Sequence, residues 1–423
     1  MVSTPAPVIV LVRAVTSTTV ALGLATGTGP LLGPLAAEFA VGRGTVSTMF
    51  SATLFFVLGT GLIAGPAAAR HGTRAPALLG AVLVPGGLVV AAVAGSFGPA
   101  AVGFALGVGG GAGCLFVPML AAVGTAFERH RSAALVLATA GGGLGTVLAP
   151  PLVHALLAAH GLRATLLLLA AASAGLLLAC AAGAGRRPGR AGTGPDGPGP
   201  VAVLQEPDFR LLCAASVGVC AAMFVPFVHL AADAAARGPG AAAGAALVAV
   251  VGAASVAGRL AAIPVVVRVG AWPVQRAAAA ALTAALVLWL PAGGVIQLGV
   301  FAVVFGLAHG AFVGLSAAVA AERHGTVGLT ARIAALHAAA AVGGLVGPST
   351  AGWAVDLLGR PLAAPAVAVV FGVAGCAALA GVGRQRIPAT VPEGTGHIAA
   401  PRRRRGTAMS CSSVRPGPAR SRR

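Results

Sequence analysis

Arg259 stands in the run VVGAASVAGRLAA, with apolar sequence on both sides of it. A charge in the hydrocarbon of a bilayer costs several kcal/mol, so an ionisable residue in such a stretch is a candidate for function. The guanidinium presents a planar fork of donors, which suits a carboxylate better than a point charge would. The alternative is a side chain that snorkels toward the interface in the direction of Arg268. His229, His309 and His337 are also set in apolar sequence. Imidazole titrates near neutral pH, so these three are the candidates for carrying a proton; a hydrogen-bonded packing role is the alternative for each. Thr26, in GLATGTGP, can orient a ligand but cannot supply charge, and Phe116 and Pro118 can line a cavity or simply pack. No acid falls clearly inside an apolar run: Glu38, Glu128, Asp233, Glu322 and Asp356 all read as segment ends. Proton coupling through a carboxylate is therefore unsupported by the sequence.

The elements that must hold these residues are membrane helices. Hydrophobic residues make up 57% of the 423 residues and charged residues 9%, with a mean hydropathy of +0.94. Soluble domains carry roughly 25% charged residues, so water cannot be the solvent for most of this surface. Apolar runs at 8–36, 46–69, 75–95, 98–126, 132–157 and 163–183, then 209–235, 240–267, 272–292, 295–321, 328–356 and 361–382, are each long enough to span. Between the two sets, residues 184–208 contain GRRPGRAGTGPDGPGP and read as a flexible linker. The expected organisation is a six-helix bundle over 1–183, this linker, a second bundle over 209–382, and a disordered Arg-rich tail over 383–423 within reach of anionic lipid.

The net charge of +19 comes from arginines that sit in short loops and in the tail, including Arg402 to Arg405, so it argues for membrane orientation and against nucleic acid. Alternate loops carry Arg70 and Arg74, Arg129 and Arg131, Arg186, Arg187 and Arg190, Arg268, and Arg323; the opposite set carries Arg43, Arg163, Arg237 and Arg360. The richer side is expected to be cytoplasmic, with both termini inside and the protein in the plasma (inner) membrane. Six scattered cysteines form no CxxC pair, so no disulfide, metal or cofactor is expected. The runs GVGGGAG (Gly107 to Gly113) and GGGLG (Gly141 to Gly145) lie in apolar sequence without a following GK[ST], and so read as close helix packing rather than phosphate loops. The dispersed acids and the absence of an HExxH pair leave little room for a membrane enzyme.

Two stretches carry a specific likeness. FERHRSAALVLATAG (Phe127 to Gly141) resembles the signature of monocarboxylate transporters in the major facilitator superfamily, with Phe127, Arg129, Arg131, Ala134, Ala138, Ala140 and Gly141 fitting and Val136 replacing a usual Gly. Glu206 to Gly238, opening EPDFRLL and continuing FVPFVHLAADAAARG, resembles the start of the second half in the monocarboxylate and oxalate/formate group. The resemblance implies a fold of twelve transmembrane helices in two six-helix bundles, working by alternating access. It also implies that Arg259 matches an arginine that contacts the substrate carboxylate. Ser255 stands where that group often has an Asp one turn earlier, and Thr26 lies where it often has a Lys. The loop usually written G-x-x-x-D-R-x-G-x-R reads GPAAARHGTR (Gly65 to Arg74), with Ala69 at the acid; after the eighth span Val267 stands at the corresponding acid.

The expectation is a secondary transporter for a small organic anion, a monocarboxylate in the first instance, acting as a monomer with a proton as possible co-substrate. The rival is an efflux pump for hydrophobic drugs or a secondary metabolite. A receptor descended from a transporter is the third reading, kept open by the lost acids.

Overall fold

The computed structural model describes residues 7–127, 131–183, 200–238, 240–325 and 329–383, and they are helical almost throughout. Most of the expected linker and nearly all of the Arg-rich tail lie outside these residues, as does the Glu128 to His130 part of the first family-like stretch. Apolar side chains at nearly every position leave each backbone N–H and C=O only one partner set within a bilayer, the helix itself.

The first half contains α1 (Pro7–Thr26), a 3₁₀ turn at Gly29–Leu31, α2 (Leu32–Glu38), α3 (Arg43–His71) and α4 (Arg74–Val93). α5 (Phe97–Val102), a π-helical stretch at Gly103–Gly110 and α6 (Gly111–Ala126) follow one another without a break, and α7 (Arg131–Ala182) completes the half. The second half contains α8 (Pro200–Val203), α9 (Pro207–Ala236), α10 (Gly240–Val269), α11 (Ala271–Trp289), α12 (Val295–His324), α13 (Leu329–Leu358) and α14 (Ala363–Gly381).

Among the described residues eleven helices are long and apolar enough to cross a membrane. The longest, α7, has 52 residues, about 78 Å at 1.5 Å per residue and more than twice a ~30 Å hydrocarbon core. It is two spans. Gly161, at φ 74° and ψ 179°, breaks it into arms 131–160 and 162–182, in a backbone conformation that a side chain would strain. That division makes twelve spans, the number and spacing that the apolar runs predict. Pro7 and Gly381 then share one face of the molecule, called here the terminal face; Gly161, Gly240 and Gly359 mark the opposite, distal face.

Two hydrophobic clusters divide the described helices. One runs from Ala14 to Ala181 and takes in only Val228 from the second half; the other runs from Val203 to Val382. Glycine lets the backbones meet within and between them. A Cβ at Gly145 would strike Thr19 O and Gly23 of α1, and one at Gly107 would strike Gly87 of α4. Gly143, on another face of α7, meets α10: its Cβ would come 2.5 Å from Val256, while Gly252 opposes Thr146. The same GGGLG run thus packs within its own half and across to the other, as small residues do where lipid gives no hydrophobic drive.

Candidate functional site

The α7–α10 crossing carries Arg259. Its Nη1 donates to the main-chain O of Thr139 at 3.1 Å, and its Cγ lies beside Gly314 of α12, whose missing side chain leaves room for it. Nε is buried without a hydrogen-bond partner among the described residues. The described ion pairs are Arg163–Glu38, Arg237–Asp233 and Arg332–Glu206, with His324 also beside Glu206, so Arg259 pairs with no described carboxylate. Thr139 is eight residues into its helix, about 12 Å from the terminal end at 1.5 Å per residue. The guanidinium therefore lies within the apolar length of both helices, about a quarter of the way along the first arm of α7.

Ser255, one turn earlier on α10, has its Oγ 2.9 Å from His309 Nδ1. The imidazole is 8% exposed and enclosed by Phe227, 5.3 Å away edge-on, and Phe305, stacked at 6.1 Å. α10 and α12 meet so closely here that Gly310 sits directly against Ser255 O. Thr26 Oγ1 donates to Leu22 O at 2.8 Å and lies 3.1 Å from Thr146 Oγ1 across the α1–α7 contact. Phe116 is half-buried on α6.

The three histidines do not form a set. His229 is 4% exposed and turns the other way from Phe227, toward α3 and α13. Its Nε2 donates to Pro348 O at 3.1 Å and lies 3.3 Å from Ser47 Oγ. His337, expected to be buried, is exposed on α13, and its Nδ1 meets only the O of Ile333 in its own helix, at 3.0 Å. It lies seven residues before Gly344, whose face meets Leu54 and Phe224. His337 therefore continues that inter-half face toward the terminal side, where the face is uncovered.

The distal face is closed by a polar seam between the halves. Asp356, at the end of α13, accepts from Arg43 N at 3.2 Å and Gly44 N at 2.7 Å, capping the first turn of α3. Trp353 Nε1 donates to Thr48 Oγ1 at 3.1 Å. A Cβ on Gly352 would lie 2.6 Å from Ser47 Cβ and 2.9 Å from Gly44 Cα. Among the described residues the inter-half hydrogen bonds run from this seam inward to Arg259–Thr139, and none lies nearer the terminal face. Asp356 read as a segment end in the sequence; its work is across the interface. Removing a helix N-cap costs about 0.5–2 kcal/mol. Asp356→Ala should accordingly raise the share of molecules with a widened α3–α13 distal separation roughly 2- to 30-fold. Spin-label distances between the two helix ends will measure it.

Asp233 is likewise at a helix end with a structural task. It lies in the last turn of α9 but is 5% exposed, taking Arg237 Nε at 2.8 Å and Trp289 Nε1 at 2.8 Å. Arg237 Nη1 also donates to Leu290 O and Ala292 O. The group ties α9 to the distal end of α11. Trp289→Phe keeps the ring that stacks on Phe301 at 5.2 Å but removes the N–H. Losing a hydrogen bond to a charged group costs about 1.5–3 kcal/mol, so a lower melting temperature in detergent with unchanged substrate affinity is the expected result.

On the terminal face, Glu206 pairs with Arg332 at 2.6 Å and with His324 at 3.4 Å. Glu322 accepts from Ala271 N at 2.6 Å and so caps α11. Val267, where a motif acid was looked for, is 82% exposed; the carboxylate at this turn arrives instead from α12, a source that reading the 263–270 segment alone could not reveal.

Residues 14–331 match the family model described as Major Facilitator Superfamily. The chain belongs to the major facilitator superfamily. Similar proteins include the MFS transporter asaE of Aspergillus flavus, 29% identical over 73% of this chain and 70% of its own length. The Fujikurins efflux protein of Gibberella fujikuroi is 28% identical over 72% of this chain and 68% of its own. Monocarboxylate transporter 14 of Homo sapiens is 32% identical, over 38% of this chain and 31% of its own. As a superfamily member the protein is a multi-pass membrane transporter for small molecules. Its two halves meet here at a closed distal seam and at the crossing that holds Arg259.

Proposed function

We propose that this transporter carries a small organic anion, a monocarboxylate in the first instance, and that Arg259 is the partner of the carboxylate. The observation that carries this reading is a guanidinium within an apolar span, bonded to a neutral main-chain carbonyl, with a buried Nε that has no described partner. A buried charge is costly unless paired, and a carboxylate supplies the pairing that a neutral carbonyl cannot. Ser255 would help orient the ligand, and Thr26 and Phe116 would line its path. The Ser255–His309 pair, one turn from Arg259, is the first place to look for a coupled proton; His229 and His337 stand apart from it. Both termini would lie in the cytoplasm, on the arginine-rich side of the plasma membrane, and the working unit would be a monomer.

A second reading is efflux of a hydrophobic secondary metabolite. The printed name of the Gibberella fujikuroi relative favours it, as does the scarcity of polar side chains around Arg259. Uptake into proteoliposomes decides between them. Lactate, pyruvate, acetate and oxalate, offered with and without a pH gradient, should move in wild type and not in Arg259→Ala. Movement of a hydrophobic drug with no carboxylate flux would hand the assignment to efflux.

A further inference from the structure

The outer surface of α11 and α14 holds a groove of about 330 Å³, lined by Pro273, Arg276, Ala277 and Ala280 on one side and Cys376 and Leu379 on the other. The neighbouring outward surface is apolar, with Val287, Leu288, Val370 and Val373 exposed, so this flank of the molecule faces lipid. Arg276 is five residues into α11, about 7.5 Å from its terminal end, and Leu379 and Cys376 are near the terminal end of α14. The groove thus begins at the membrane interface and runs into the hydrocarbon, with a cation at its mouth and small apolar side chains along its floor.

The charges around that mouth are unequally committed. Arg323 lies 4.3 Å over the Trp272 ring and donates to Gly383 O; Glu322 is held by Ala271 N, and Asp208 faces Gly383. Arg276 is exposed, 5.9 Å from the same Trp272 ring, and forms none of the described ion pairs. An amphipathic indole beside two guanidiniums is suited to the level of lipid headgroups. A ligand that satisfies both ends of this groove must be an anion with a long apolar tail.

We propose that the α11–α14 groove is a binding site for an anionic phospholipid, with its phosphate on Arg276 and one acyl chain laid along Ala277, Ala280 and Leu379. The site is separate from the transport path and does not depend on the substrate assigned above. Recognition of phosphate alone, without the tail, is the competing source of the same chemistry.

The full-length protein, in nanodiscs, should be titrated with spin-labelled phosphatidylglycerol and spin-labelled phosphatidylcholine, and the motionally restricted fraction of each measured. One basic residue at the surface favours an anionic lipid by about fivefold, and that preference is expected in wild type. Arg276→Gln should remove it, while Arg360→Gln, on the distal face, should leave it unchanged. Ala280→Trp, at an exposed position in the groove, fills it without touching the charge and should reduce retention of both lipids. Equal phosphatidylglycerol preference in wild type and Arg276→Gln would overturn the site. So would displacement of the lipid by glycerol 3-phosphate at micromolar concentration with no effect of Ala280→Trp, which would mark a phosphate pocket instead.

Discussion

Arg259→Ala should lower carboxylate transport roughly 30- to 4000-fold, the range set by about 2–5 kcal/mol for truncating one partner of a buried, hydrogen-bonded charge pair. The fold should survive, because the side chain gives up a single described hydrogen bond, to Thr139 O, and α10 keeps its packing on α12 through Gly258 and Gly310. Arg259→Lys restores the charge but not the fork of donors, so recovery should stay below about a tenth of wild type. The contact with Thr139 gives the substitution a second readout. Thr139 belongs to the first half and Arg259 to the second, so on the proposed function an arriving carboxylate would exchange an inter-half bond for a ligand bond. Substrate should therefore change the separation of α7 and α10 in wild type and leave it unmoved in the alanine variant. Full flux with Arg259→Ala would remove the residue from the substrate path.

Gly352→Leu should hold the distal face open. The added Cβ alone would lie 2.6 Å from Ser47 Cβ and 2.9 Å from Gly44 Cα, and neither a Cβ nor a Cα can swing aside without moving the α3 backbone. Overpacking of this kind costs about 1–3 kcal/mol, and the cost falls only on the conformation in which α3 and α13 touch. That shifts the population roughly 5- to 150-fold away from distal closure. Ser51, fully buried one turn below Ser47, reports the change. In a background lacking the native cysteines, Ser51→Cys should react with an impermeant thiol reagent at least about tenfold faster in the glycine variant. Turnover should fall in step, because a transporter that cannot close one gate cannot cycle. Gly299→Leu, at a glycine with open space around it, is the control and should do neither. An unlabelled Ser51→Cys with normal turnover would show that the seam is not a gate.

The twelve spans were legible because composition alone forces them: stretches of this hydropathy have no stable place except across a bilayer. Arg259 was legible as a charge set in an apolar run, and its place on the substrate path is the proposal made above. The grouping of the histidines was not. His229 follows Phe227 by two residues, and two steps of a helix turn a side chain by about 200°. The ring of Phe227 packs on His309 while His229 looks to the opposite side of α9. Nor could Asp356 be seen as a latch, since its partners Arg43 and Gly44 are more than three hundred residues away in the chain. Shared apolar surroundings told that a residue is inside, and only the packing tells which neighbour it meets.

The one-residue turn at Gly161 bears on how the protein is made. The arms on either side leave the ribosome in succession, yet no polar loop separates them to be handed across as the first arm settles. With the termini in the cytoplasm, as proposed, the tip of this hairpin, with Arg163 that pairs with Glu38 at 2.9 Å, would be the part carried across the bilayer. A side chain at Gly161 would be strained at φ 74°, so its substitution should lower the yield of folded protein in the membrane before any effect on transport is read.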